Sequence, residues 1–349
     1  MTDVARIDET ARVAARARVD GLAKPLGALG RLEDAAVWLA GVQATSSPRP
    51  PREVAVVVFA GDHGVTGDGT VSAYPREVTA AMVREFLRGG AAVNVLARMH
   101  GARVRVLDLG VDDDLADTPE EVRRHKVHRG SGAIHREDAL TADEVVAALD
   151  AGRRVADEEI DDGTDLLVPG DMGIGNTTVA AALVGTVLDL DADHVVGRGT
   201  GVDDVAWRAK REVVAAAIER AAPHRDDPVA LLRTAGSADL AAATAFLVRA
   251  AERGVPVLLD GVVSGACALL AERLAPGAVG WWYAGHRSTE PAHRLALDAM
   301  GLAPLLDLEL RLGEASGALT ALPVLRTAPL LLSGMATLES VTEPVPIAR

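Results

Sequence analysis

A doubly wound α/β fold, with a mainly parallel sheet flanked by helices, is predicted by three features of the sequence. Apolar runs of strand length recur along the chain, and they are continuous rather than alternating, as strands covered on both faces require. Each run stops at small or polar residues. Helical periodicity fills the intervals, and such βαβα alternation builds a parallel sheet whose ligand site lies beyond the carboxyl ends of its strands.

The elements follow in order. Residues 8–45 read as helix, with a turn near 24–30, and the Pro-rich stretch 46–53 (SSPRPPRE) marks a junction. Strands are predicted at 54–59, 104–107, 166–168, 255–259 and 279–283, running respectively into AGDHG, DLG, PGD, DG and AGH. Between the first two, residues 77–99 place Val78, Met82 and Phe86 four apart, the spacing of one helix face. Thr141 followed by Glu144 is a capping box ahead of Val145, Val146 and Leu149. Residues 204–221 carry Val205, Val213, Val214 and Ile218, again a helical pattern, while 111–138 is a long charged excursion. Beyond Leu302 the chain is helical and Leu-rich, and its last segment is expected to return to the N-terminal helices.

Composition narrows the function. Hydrophobic residues make up 49% of 349 and aromatics only 3%, so the core must be built from Ala, Val and Leu. A net charge of −14 argues against nucleic acid or an anionic membrane as partner, but a small anionic substrate needs only a local positive site. Cys267 is the single cysteine, which excludes an intramolecular disulfide and any multi-cysteine metal centre. With no basic-then-apolar leader and no long uncharged apolar run, a cytoplasmic protein is expected. Lysine survives only as Lys24, Lys126 and Lys210 among many arginines, a hint that a compact ammonium is wanted there.

Three segments could carry chemistry. Residues 170–178 (GDMGIGNTT) follow a strand and open an apolar helix, an arrangement that aims backbone N–H groups and the helix dipole at an anion. A tight turn capped by Asn176 or Thr177 explains the same residues. The loop 197–201 (GRGTG) enters the helix of Lys210, so two glycine loops and a lysine could surround a phosphate, or form a plain connection. Residues 311–318 (RLGEASGA) set Glu314 among small residues, where burial can turn a carboxylate into a base; a glutamate at a helix start would look the same. His63 and His286 end strands without any metal-ligand spacing, so hydrogen-bonding roles and no metal are expected. Cys267 and Trp281–Trp282 read as core.

Nine collinear segments together resemble one family, nicotinate-nucleotide:dimethylbenzimidazole phosphoribosyltransferase. They are KPLGALGRLE (24–33), AGDHGV (60–65), SAYPREVT (72–79), GGAAVNVLA (89–97), GDMGIGNTT (170–178), GRGTGVDD (197–204), LLDGVVSGA (258–266), GHRSTEP (285–291) and RLGEASGA (311–318). The resemblance implies a large α/β domain, here 46–317, and a small helical domain made from 1–45 plus 318–349. It implies a homodimer that moves ribose 5-phosphate from nicotinate mononucleotide to dimethylbenzimidazole without a cofactor. Glu314 would be the general base. Gly173, Gly175, Asn176, Thr177, Gly199, Thr200, Gly201 and Lys210 would hold the phosphate side. Ser72, Tyr74, Met172 and Leu312 would line the acceptor base, and Asp171, Asp260 and Ser288 would complete the substrate contacts. The family usually carries Glu at the place of Asp171, Gln at that of Ala81 and Gly at that of Ala315, differences that bear on acceptor choice. A paralogue ribosylating a purine, another benzimidazole or a phenol is one alternative; a non-catalytic nucleotide-binding protein is another.

Overall fold

The computed structural model describes residues 4–68 and 71–342. Helices α1 (Glu9–Asp20) and α2 (Arg31–Val42) precede β1 (Val54–Gly61), α3 (Val78–Arg88), α4 (Ala92–His100) and β2 (Ala102–Gly110). A short α5 (Glu120–Arg123) lies in the charged excursion before α6 (Ala142–Asp161) and β3 (Leu166–Met172). Next come α7 (Asn176–Leu188), α8 (Ala192–Val195), α9 (Asp204–Ala221), α10 (Pro228–Ala235) and α11 (Ala238–Glu252). The chain ends with β4 (Val257–Leu259), α12 (Val262–Leu274), β5 (Trp282–Ala284), α13 (Pro291–Met300), α14 (Ser316–Gly334) and α15 (Leu338–Thr342).

The five strands are all parallel, in the order β2-β1-β3-β4-β5. Every residue of β1 is buried, which is why its sequence is continuously apolar. Helices α11 and α12 pack against strands on one face, α6 lying behind α11, and α3, α4 and α14 take the other. The chain leaves β1 for β2 on one side and returns to β3 on the other, so the switch point lies between the carboxyl ends of β1 and β3.

Local chemistry explains several boundaries. Thr141 and Glu144 form the reciprocal capping box of α6. The helical pattern over 77–99 is two helices rather than one, because Gly89 turns left-handed (φ 83°) and ends α3. The β3–β4 ladder is a single register pair, Leu167 with Val257. Pro169, the next residue on that side of β3, has no N–H to extend it, so the two strands separate toward their carboxyl ends. Strands β4 and β5 are accordingly shorter than their apolar runs, and the first residues of the last run form a 3₁₀ turn, Ala278–Trp281.

By length and composition α14 alone among the described helices could cross a membrane. Here it packs on α2, α4 and β4, and Arg326 within it donates to the carbonyls of Pro51 and His100. The chain then returns to the N-terminal helices: Ala23 N–H donates to Ala336 C=O, and Leu338 N–H to Gly21 C=O.

Candidate active site

Loops at the carboxyl ends of β1, β3 and β4 converge with the loop that opens α14. In that last loop Gly313, Glu314 and Ala315 are all left-handed, with φ of 81°, 59° and 65°. Such a run in non-glycine residues is strained and is held only by its surroundings. Ser316 fastens it through its N–H and hydroxyl, both donating to Gly313 C=O at 2.9 and 2.6 Å. Strand β3 lies directly beneath: a Cβ on Gly170 would come within 3.1 Å of the Glu314 carbonyl carbon.

Glu314 is thereby pressed into the protein, 5% exposed, with its carboxylate accepting from Val93 N–H in the first turn of α4. Its Oε2 has no hydrogen-bond partner. Burial pushes this carboxyl up to about 7, the Val93 N–H works against that, and the Asp260 carboxylate adds to it.

Beside it, Asp171 accepts from the Asn176 amide at 2.5 Å. Burial, then the carboxylates of Asp260 and Asp239, push Asp171 up to about 8, with Asn176 opposing. Met172 is half-buried at the strand end.

In the glycine segment four N–H groups are bonded within the protein, and those of Gly173 and Gly175 are not among them. Ile174 N–H donates to the Thr79 hydroxyl, Asn176 N–H to Gly173 C=O, Thr177 N–H to the Asn176 side chain and Thr178 N–H to Gly175 C=O. Gly173 is there for close approach, since a Cβ would meet Gly61 C=O at 2.2 Å. Gly175, at φ 96°, caps α7.

Positive charge reaches the site from Lys210. Lys210 is fully buried in α9 and donates to the Thr177 hydroxyl at 2.7 Å. Burial pulls its pKa below the usual lysine value, and Glu290 opposes that shift. Glu290, 5% exposed, accepts from Gly199 N–H at 2.8 Å and so ties the second glycine loop to the start of α13. A Cβ on Gly199 would sit 2.9 Å from the Thr177 hydroxyl and 3.0 Å from Lys210 Nζ, so the two glycine loops and the lysine do meet. Arg311 donates to Gly199 C=O at 3.2 Å, and a Cβ on Gly201 would touch its guanidinium. Neither Glu290 nor Arg311 stands out in sequence. Their signal is position, one at a helix cap before Pro291 and the other three residues ahead of Glu314.

On the open side, Thr200 accepts from Ala73 N–H at 2.9 Å and lies 3.4 Å from the Ser72 hydroxyl, which accepts from Tyr74 N–H. Tyr74 and Leu312 are 56% and 58% exposed, apolar surface free for a flat ligand.

Asp260 and Ser288 face inward. Asp260 is fully buried, accepts from Ala318 N–H at 2.8 Å and lies 3.5 Å from His286. Ser288 is bonded through hydroxyl and N–H to His293 Nδ1, each at 3.0 Å. Burial pulls His293 down to about 3, so it is a neutral acceptor there. His63 lies 3.6 Å from Asp239, so His63 and His286 each face a buried carboxylate at the long limit of a hydrogen bond. Cys267 is buried and its thiol pushed far up, and Trp281 and Trp282 are buried in the core. Among the described residues no group of three His, Cys, Asp or Glu is arranged to hold a metal.

Known proteins match this chain along nearly its whole length. A family model described as phosphoribosyltransferase matches residues 4–342. The nicotinate-nucleotide–dimethylbenzimidazole phosphoribosyltransferase of Mycobacterium tuberculosis is 58% identical over 330 residues, 95% of this chain and 91% of that protein. Its namesake in Mycobacterium marinum is 57% identical over the same shares. The crystal structure of CobT from Thermus thermophilus superposes with a TM-score of 0.89 at 45% identity, covering 95% of this chain and 98% of that one. The chain belongs to this phosphoribosyltransferase family.

Proposed function

We propose that the protein transfers the 5-phosphoribosyl group of nicotinate mononucleotide to 5,6-dimethylbenzimidazole, giving α-ribazole 5′-phosphate and nicotinate. The observation that carries this reading is Glu314, a carboxylate held almost out of water with one oxygen unpartnered and its pKa lifted to about 7. One azole nitrogen attacks the anomeric carbon as the bond to the pyridinium nitrogen breaks. The bonding pair returns to nicotinate and neutralises its ring. Glu314 takes the proton of the second azole nitrogen. Lys210, Thr177 and the 199–201 loop hold the phosphate, and Ser72, Tyr74, Met172 and Leu312 flank the flat base, so that the reacting atoms meet in register.

We infer a cytoplasmic homodimer; the exposed apolar side chains of Leu87, Val95 and Met99 on α3 and α4 support a second copy. The division into 46–317 and 1–45 plus 318–349 is supported by the return of 336–338 to Gly21 and Ala23, although α14 itself bridges the two parts. Residues 1–3, 69–70 and 343–349 of that division lie outside the described residues. Product identification decides the activity: nicotinate should appear from nicotinate mononucleotide only when an azole acceptor is added. Release of nicotinate with water as sole acceptor, or none with any benzimidazole or purine, would refute it.

A further inference from the structure

Helix α14 begins without a cap of its own, although the place of Glu314 depends on where that helix starts. Its N-cap position is held by Ala315, which offers no side-chain oxygen, and its first turn carries no acidic residue. The N–H groups of a first turn have no partner within the helix, and leaving one buried and unbonded is costly. Ala318, fully buried in that turn, finds its partner on another element: its N–H donates to Asp260 Oδ1 at 2.8 Å. Asp260 follows the last residue of β4 and is itself fully buried, so it has no surface to offer a substrate. A carboxylate there also meets the positive end of a 19-residue helix.

His286, two residues beyond β5, completes the contact. Its Nε2 lies 3.5 Å from the same Asp260 oxygen, and its ring fills the space that a side chain on Gly317 would need. Gly285 beside it brings backbone against the helix, for a Cβ there would lie 2.8 Å from Ala318 Cα. Burial alone would push the Asp260 carboxyl up, but His286 and the Ala318 N–H outweigh it and hold that group below its usual value. We propose that Asp260 is a positioning residue for Glu314: from the end of β4 it caps α14, and with His286 it holds the left-handed 313–315 loop where Glu314 meets the acceptor base. Ser316 closes that loop on itself, whereas Asp260 ties it to the sheet. This role rests on the phosphoribosyl-transfer reading for its purpose.

Two measurements test it. In steady-state kinetics Asp260→Ala should lower kcat about 10²-fold, the cost of a base about 1 Å out of place, while the KM for nicotinate mononucleotide changes little. Asp260→Asn keeps an oxygen for the Ala318 N–H and should recover most of that loss. A KM that rises while kcat holds would make Asp260 a substrate contact and overturn the proposal, as would an Asn variant no better than Ala. The second measurement needs no turnover. Amide hydrogen exchange over 313–320 should quicken about 10- to 100-fold in Asp260→Ala, the worth of a charged hydrogen bond, and little elsewhere. Exchange unchanged in that segment, or quickened throughout the molecule, would also overturn it. Should Asp260→Ala not fold, Gly317→Ala puts the same question from the helix side. Its methyl displaces the His286 ring, so the same fall in kcat and the same local exchange are expected, and wild-type values would overturn the proposal. An inactive wild type with the exchange pattern present would refute the transfer reading alone.

Discussion

Glu314 and Asp171 both have folded-state pKa values above their ordinary ones, with opposite consequences for activity and for stability. As a base, Glu314 works only when ionised, so kcat/KM should fall as pH drops through about 7, and a pH–rate profile checks this. Stability runs the other way. A raised carboxyl contributes stability that is present below its unfolded pKa and is lost as pH climbs through about 7 for Glu314 and about 8 for Asp171. Melting temperature should therefore fall across that window in wild type, and less steeply in Asp171→Asn. Glu314→Gln keeps the shape of the side chain but cannot take a proton. It should lower kcat by about 10²- to 10⁴-fold with an intact circular dichroism spectrum. Ala315 sits at φ 65°, where a Cβ costs about 1 kcal/mol, so Ala315→Gly should raise stability by about that amount in denaturant unfolding. Much of this residue-level arrangement could be anticipated. Small neighbours around Glu314 announced its burial, whereas the Val93 N–H that meets it is a backbone group over two hundred residues away and leaves no mark in the local pattern.

Elements bring these residues together by close backbone contact. Gly170→Ala would drive a methyl into the Glu314–Ala315 backbone, lifting the strained loop off β3; we expect a loss of about 1–3 kcal/mol and a fall in kcat. Helix α9 delivers Lys210 to Thr177, and Lys210→Met should raise the KM for nicotinate mononucleotide by about 10- to 100-fold, the worth of a charged hydrogen bond. Continuous apolar runs exposed all five strands because burial on both faces leaves no other composition. Their lengths were less legible, since Pro169 and the 3₁₀ turn before Trp282 shorten pairing through backbone hydrogen bonds that hydropathy does not encode. The same limit hid the break at Gly89 and the partners of the Ile174, Asn176, Thr177 and Thr178 N–H groups.

Across the whole molecule, a parallel sheet with its order reversing at β1 and β3 sets the site at one end, and a chain of net charge −14 gathers its few ammonium groups with care. Lys24 is 5% exposed and paired with Glu33 at 2.8 Å. Lys126 donates to the Asp108 carboxylate and to the carbonyls of Val111 and Asp113. Lys210 is fully buried. No lysine is therefore left as an ordinary surface amine. Succinimidyl dyes, aldehyde fixatives and amine-coupled sensor chips should take hold of this protein poorly through its side chains, while arginine-directed dicarbonyls find many targets. Mass spectrometry after mild acylation would show it, with Lys24, Lys126 and Lys210 unmodified until the fold is opened.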